Sequence, residues 1–375
     1  MAKRFYLTLL IGPAVPTPAP REVLDALTSV EVSNGGARGG FKLTFAAGKK
    51  SPLTTTRLPT GYFDPMITRV IVVVTVGGVP HVLMDGLVTR QDISPSNEAG
   101  GSTLTVTGED LSVLMDVVEM PFMRYPGMNE IAIVPLVLLK YMLFGIMPIV
   151  IPPIFPSITN PVEQVPTQTG TDRAYLSGLA SACGYVFYVE PGPAPGVNIA
   201  FWGPDIRLPV VQPALSVNMD AHTNVESLSF GLDGLAKKIL ILNVLDPVTK
   251  KITIPVPVPN ISILRPPQGL RMQLPSKIEF PVGMAKLNIA EAAKRALGIL
   301  LSATDSITAS GSLDVLTYGH VLKARQMVGV RGAGVTYDGL YYVNTVTHTI
   351  KRGSYKQSFS LSRDGLVSNK SKVSV

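Results

Sequence analysis

Tyr337-Asp338-Gly339-Leu340, Lys351-Arg352-Gly353 and Phe359-Ser360-Leu361-Ser362-Arg363-Asp364-Gly365-Leu366 are three pieces of one hairpin near the end of the chain. The first begins an extended run, the second turns it and the third closes it. The same parts recur near the start. Met84-Asp85-Gly86-Leu87 begins a run, Pro95 to Gly101 supplies a turn, and Leu104-Thr105-Val106-Thr107-Gly108-Glu109-Asp110-Leu111 ends it. The spacings from Asp85 to Leu104 and from Asp338 to Phe359 differ by two positions, which one turn absorbs. An internal echo in a β-rich chain points to two related β-domains. In the final strand Tyr355, Phe359 and Leu361 alternate with Ser354, Lys356, Ser358, Ser360 and Ser362, the pattern of a strand with one buried and one wet face.

Outward from these hairpins, further strands read at Phe5–Leu10, Leu27–Ser33, Phe41–Ala46, Thr68–Val76 and Val79–Met84, the last two joined by Gly77-Gly78. Pro13 to Pro20 is too proline-rich for a helix or a central strand. The stretch Asn34-Gly35-Gly36-Ala37-Arg38-Gly39-Gly40 is too irregular to cradle phosphate and reads as a flexible hairpin loop. Leu111, Leu114, Met115 and Val118 fall at helical spacing, so a short helix is expected over Glu109–Val118.

The middle of the chain mixes periods. Ile131 to Phe155 is the most apolar stretch, but Lys140 and Pro135, Pro148, Pro152 and Pro153 argue against a lipid-facing helix. A buried helix over Val134–Gly145 followed by an extended loop is expected, with Lys140 paired or reaching water. Thr171-Asp172 opens a clear helix whose apolar face is Tyr175, Leu176, Leu179, Ala180 and Cys183, and Gly184 stops it. Strands Tyr185–Glu190 and Val197–Trp202 follow, then Ala214–Met219 and Asn224–Phe230. Prolines recur too often between Ile254 and Pro281 for a packed sheet. Asn288 to Glu291 then caps a helix running to about Ser302.

With 375 residues the chain can bury a full core and hold two or three domains. Its 33 basic and 26 acidic residues give +7, yet only 16% of positions are charged against 46% hydrophobic. So little charge leaves a surface that an assembly or a membrane would cover. Basic residues sit in pairs on turns (Lys49-Lys50, Lys237-Lys238, Lys250-Lys251, Lys351-Arg352) without aromatic interleaving, which does not favour a specific nucleic-acid surface. Met1-Ala2-Lys3-Arg4 has the charge of a signal n-region, but Pro13 and Pro16 cut short the apolar run from Phe5 to Ile11, so export is not expected. The single cysteine, Cys183, excludes a disulfide framework within the chain and a cysteine metal site, and is compatible with intracellular assembly.

Chemistry is sparse. His81, His222, His320 and His348 have no metal-ligand spacing, and His348 reads as a satisfied strand histidine. Val330-Arg331-Gly332-Ala333-Gly334 precedes a hairpin rather than a helix, so it lacks anion-binding geometry. Asp116 with Glu119, or Glu190 with Asp205, are the available carboxylate pairs for glycan cleavage, and nothing in the sequence brings either together. No catalytic residue, metal ligand or cofactor is expected.

The helix Thr171-Asp172-Arg173-Ala174-Tyr175-Leu176-Ser177-Gly178-Leu179-Ala180 followed by Gly184-Tyr185-Val186-Phe187 resembles a segment of the phage late control D and VgrG-type hub proteins. The Asp85-Gly86 strand and the run from Asp338-Gly339 through Arg363-Asp364-Gly365 are similar to that family's two barrels. The resemblance spans most of the chain. It implies a non-enzymatic baseplate hub of a contractile phage tail or injection system: a homotrimer whose two tube-like β-barrels per chain join a six-fold tail tube to a three-fold spike. Partners would be sister copies, a tube protein, a separate spike protein and other baseplate components, assembled in the producing cell's cytoplasm. The chain departs from VgrG in lacking a β-helix after Leu366, and Ile254–Pro281 has no counterpart in the family.

The expected fold is therefore mainly β with α+β inserts. Residues 1–118 form one barrel and 119–211 an α/β insert. A second barrel comprises 212–245 with 305–366, interrupted by a proline-rich loop and helix at 246–304, and 367–375 is a tail. The residues expected to carry this framework are Asp85, Gly86, Asp172, Leu179, Gly184, Asp338, Gly339, Arg363 and Gly365. The rival readings are a membrane-associated β-protein anchored through 131–155 and a tail-borne cell-wall hydrolase.

Overall fold

The computed structural model describes residues 4–98, 100–153, 156, 165–207, 211–245, 252–258, 268–272, 274, 276–279, 294, 298 and 305–369. The chain is mainly β. The first six long strands are β1 (Phe5–Pro13), β2 (Leu27–Asn34), β3 (Gly40–Ala46), β4 (Thr68–Val76), β5 (Val79–Ser94) and β6 (Thr103–Asp110). They lie in the order β1-β4-β5-β6-β3-β2, antiparallel throughout. The β-branched run of β4 places it between β1 and β5 with nearly every residue buried. Gly77 and Gly78 turn β4 into β5 with φ of 58° and 85°, which a two-residue hairpin of matching twist requires.

The proline-rich stretch contributes a two-residue edge strand, Thr17–Pro18, against Leu10 and Ile11, which its prolines allow, and leads into helix α1 (Arg21–Ala26), which buries Val23 and was not expected. Glu109–Val118 is not one helix. Pairing with β3 and β5 holds Glu109 and Asp110 extended, and only Leu111–Asp116 coils, as a 3₁₀ turn capped by the Asp110 carboxylate at 2.9 Å from Ser112 N. The glycine loop after β2 is also held in place. Arg325 and Arg173 donate to the carbonyls of Gly36 and Ala37, and Gly39 N donates to Asp110.

The insert contains α2 (Glu130–Leu139), β7 (Ile146–Val150), α3 (Asp172–Cys183), β8 (Tyr185–Pro191) and β9 (Asn198–Pro204). Its sheet runs β8-β9-β7, with β7 parallel to β9. The α2 helix starts earlier than the apolar pattern predicts, because Asn129 caps it, and it stops at Lys140. It is one-sided: Ile133, Val134, Val137 and Leu138 are buried, whereas Ile131, Leu136 and Leu139 face outward. The expected loop instead supplies edge strand β7, where Pro148 costs little because no described strand lies beyond it. The α3 helix meets its sequence signals. Thr171 caps it, and Gly184 ends it at φ 69° while donating to the carbonyls of Ala180 and Ser181. No helix among the described residues is long and apolar enough to cross a membrane.

Six further strands belong to the main sheet: β10 (Val211–Ser216), β11 (Ser227–Leu232), β12 (Ile307–Asp314), β13 (Met327–Arg331), β14 (Gly339–Lys351) and β15 (Ser354–Arg363). Their order is β10-β13-β14-β15-β12-β11, the same permutation as in the first half. One pairing differs in sense: β10 runs parallel to β13, whereas β1 runs antiparallel to β4. The halves are continuous. The end of β14 pairs with β2, from Val346↔Asn34 to Lys351↔Ser29, producing a 13-stranded sheet. One apolar cluster draws Leu9, Val32, Phe45 and Val72 from the first half and Val330, Val346, Tyr355 and Leu361 from the second.

The two long hairpins carry a bulge at corresponding places, Thr89 in β5 and Asn344 in β14. Aligned there, Asp85 and Gly86 fall on Leu340 and Tyr341, two places beyond Asp338 and Gly339. Leu104–Gly108 falls on Gln357–Leu361, two places before Phe359–Arg363. Both shifts are even, so each side chain keeps its face of the sheet.

Between β11 and β12, where the first half has only its glycine loop, lies a small sheet of Lys238–Leu245, Ile252–Val258 and Lys277–Glu279. Prolines did not prevent this sheet. Pro255 and Pro257 sit on its edge strand, opposite Asn243 and Ile241. The expected helix Asn288–Ser302 falls largely outside the described residues.

Candidate functional site

Three buried polar nodes tie the units together, and the residues singled out from the sequence sit in or beside them. The first joins the first half to the insert. Arg69 grips Asp85 with two hydrogen bonds, Nε to Oδ1 at 2.6 Å and Nη2 to Oδ2 at 2.7 Å, while Asn198 Nδ2 of β9 donates to Oδ2 at 2.8 Å. Arg69 Nη2 also reaches the Gly196 carbonyl at 3.3 Å. Gly86 lies beside this node against β6, where a Cβ would collide with the Glu109 carbonyl oxygen.

The second node orients the insert helices. Asp172 Oδ1 accepts from Gln168 Nε2 at 2.7 Å, and Oδ2 accepts from Tyr141 OH at 2.7 Å and Lys140 Nζ at 2.5 Å. Burial alone would raise the carboxyl, but hydrogen bonds from Gln168, Lys140 and Tyr141 outweigh it and hold it below its ordinary value. Lys140, the charge in the most apolar stretch, is thus paired. A depressed folded-state value stabilises the protein above the unfolded carboxylate range, and this stabilisation fades as pH falls through the folded value. In thermal melts from pH 7 to pH 3, wild type should therefore lose stability more steeply than Asp172→Asn. Parallel curves would contradict this role. Leu179, on the same helix, packs half-buried against the insert core.

The third node closes the last hairpin. Arg363 is 0% exposed, and its Nη1 and Nη2 donate to the carbonyls of Asp338 (2.8 Å) and Thr336 (3.0 Å). Its guanidinium carbon lies 4.5 Å from the Tyr341 ring centroid. Burial pushes this guanidinium down from its usual value, although Tyr341, Asp364 and Asp338 oppose the shift. Asp338 Oδ1 accepts from Ala333 N at 2.7 Å, and Gly339 adopts φ 128° with Ser368 packed where a Cβ would stand. Gly365 opens the final short strand, antiparallel to Gly269–Met272.

Sequence reasoning missed Arg69, Asn198 and a second interface centre at Arg325. Arg325 lies over the Tyr188 ring at 3.7 Å and faces Glu190 at 3.5 Å. Arg69 had a partial signal as the lone charge in a β-branched strand, but an even count back from Gly77-Gly78 sets it opposite Gly86, and the register shift between Val82 and Met84 is what moves it opposite Leu87, on the face of Asp85. The imagined carboxylate pairs have separate partners. Asp116 accepts from Arg38, Arg173 and Thr171, whereas Glu190 faces Arg325 and Asp205 accepts from Tyr342 OH. His348 is buried, with Nδ1 2.8 Å from Tyr355 OH, and burial beside His81 pushes it down to about 3. Among the described residues no group of histidine, cysteine and carboxylate side chains is placed to hold a metal ion.

The surface is unusually apolar around the insert. Val117, Val118, Phe122, Leu136, Leu139, Leu143, Phe144, Met147 and Ile149 are all exposed, Leu143 to 93%. Such a run of large apolar side chains over one unit is the mark of a surface that a partner covers.

No protein-family model and no curated protein matches the chain. Solved structures do. A tail protein from Neisseria meningitidis superposes with a TM-score of 0.61 at 13% identity, covering 97% of this chain and 98% of that one. The 43 kDa tail protein of prophage MuSo2 from Shewanella oneidensis gives 0.58 at 16% identity, over 97% and 100%. A chain of the Francisella PdpA–VgrG complex gives 0.58 at 10% identity, over 99% of this chain and 55% of that one. At these identities the likeness is one of fold, which this chain shares with two tail proteins, one of them from a prophage, and with a chain of a PdpA–VgrG complex.

Proposed function

We propose that this chain is a non-enzymatic structural hub of a contractile tail or injection system, joining a six-fold tube to a three-fold spike as a homotrimer. The observation that carries the reading is the repeated strand order, β1-β4-β5-β6-β3-β2 followed by β10-β13-β14-β15-β12-β11. Each half acts as one tube-like barrel domain, so three chains present six similar edges to a hexameric ring. The insert, fixed to the first half through Asp85 and organised by Asp172, Leu179 and Gly184, offers its apolar surface to sister copies, spike or other baseplate components. Gly86, Asp338, Gly339, Arg363 and Gly365 hold the hairpins of the two halves. Assembly takes place in the producing bacterium's cytoplasm, without specific nucleic acid and without stable membrane insertion, and the assembled particle is a virion or an injection machine.

Light scattering on the purified chain at micromolar concentration tests this. Three chain masses are expected, with electron-microscope averages showing six similar lobes about a three-fold axis. A stable single-chain particle would overturn the reading.

A further inference from the structure

The junction between the two halves is a template for contacts the chain leaves unfilled. Within the chain, the end of β14 beyond its bulge receives β2 as an antiparallel neighbour, with His348 opposite Val32 and Val346 opposite Asn34. Its counterpart in the first half is the end of β5, Arg90–Ser94, which pairs with β6 on one side and has no described strand on the other. The counterpart of β2 is β11, which among the described residues pairs with β12 alone and forms one edge of the sheet. Each half therefore has the same pair of docking edges. One set is filled within the chain, and the other is open among the described residues.

From this we infer that the open edges pair with each other between copies, β11 of one chain adding to the β5 end of the next. The register follows from the internal junction. The bulges equate Val346 with Gln91 and His348 with Ile93. The strand pairs Phe41↔Gly108 and Ala309↔Leu361, each beside the residue paired just before the bulge, carry Val32 onto Phe230 and Asn34 onto Leu232. Ile93 then stands opposite Phe230, Gln91 opposite Leu232 and Asp92 opposite Gly231.

The exposures fit this scheme. Gln91 and Ile93 lie opposite the buried Val106 and Leu104 and so face the core side of the sheet, yet Ile93 is 51% exposed. Its counterpart His348 is buried beneath β2. Leu232, at the other open edge, is 44% exposed. An antiparallel neighbour would complete both edges with backbone hydrogen bonds and an Ile–Phe cross-strand pair. The contact is head-to-tail, so it closes into a ring only if successive copies return to the start. It rests on the trimer reading, which supplies that closure: six junctions, three within chains and three between them.

Cysteines at Asp92 and Gly231 test the register, because Cys183 is the chain's only cysteine and is buried. The two positions lie on strands separated by six others in one chain, so an intrachain bridge is not available. Under mild oxidation the double variant Asp92→Cys/Gly231→Cys should form covalent two- and three-chain species, whereas Asp92→Cys/Ser227→Cys, four places out of register, should not. Ile93→Arg, at a position exposed in the lone chain, should raise the concentration needed for assembly by roughly tenfold. A three-chain mass without in-register cross-links overturns the edge pairing and leaves the hub reading standing. A single-chain mass overturns both.

Discussion

Asp85→Ala is expected to lower the stability of the protein by about 3–5 kcal/mol, because it strands a cation that the fold has already removed from water. Arg69 is only 8% exposed and lies between β1 and β5 under the insert hairpin. Its two short bonds to Asp85 are the main compensation for its burial, and Asn198 would lose its acceptor as well. The double change Arg69→Met/Asp85→Leu should cost less than Asp85→Ala alone, since apolar side chains of similar volume remove the orphaned charge along with its partner. The shift in urea midpoint measures both. A loss under about 1 kcal/mol for Asp85→Ala would mean that water reaches the node.

Arg363→Ala should be comparably damaging, again by about 3–5 kcal/mol, but through a different route. Here the guanidinium bridges two backbone carbonyls at the entry to β14 and fills the space over Tyr341. Removing it leaves a cavity, takes this donor from the Asp338 carbonyl and leaves the Thr336 carbonyl with Val367 N. Arg363→Lys keeps a charge but not the planar fork that reaches both carbonyls, and should fall between wild type and Arg363→Ala. Equal stability of the lysine variant and wild type would show that charge alone suffices. Proteolysis at Thr336–Asp338 gives a second readout, since loosening there should expose that loop before the sheet opens.

Much of the strand pattern was legible because it is local. Alternation in Ser354–Arg363 and the β-branched run in Thr68–Val76 report which face or strand is buried, and Gly77-Gly78 reports a turn. Helix α3 was legible for the same reason, with Thr171 and Gly184 marking its ends. Helix α1 was hidden because six residues after a proline stretch carry one buried side chain, too few to set a period. The 3₁₀ turn after Asp110 looked helical because its apolar spacing is helical, while pairing with a strand some seventy residues earlier kept its first residues extended. Register was beyond local reading altogether. The Asp-Gly pairs that made the two hairpins look alike sit two places apart once the bulges at Thr89 and Asn344 are aligned. Of the nodes, the acidic members Asp85, Asp172 and Asp338 were visible as residues, and Gln168 and Ala333 lie within five residues of their acceptors, but Asn198 and Tyr141 come from other segments. Asn198 and the Thr336 carbonyl carry no mark in the sequence of what they will meet.

The opposite directions of β1 and β10 against otherwise matching neighbours distinguish the two halves by chain polarity. In a closed ring of three chains, a molecule resting on the shared strands would count to six, while one resting on the β1 and β10 margin would find every second position reversed and count to three. In the proposed ring, separate margins of one chain would meet the two symmetries, because the odd and even positions would be labelled by polypeptide polarity rather than by side chains. Point substitutions along that margin could weaken a contact there, but they could not erase the label.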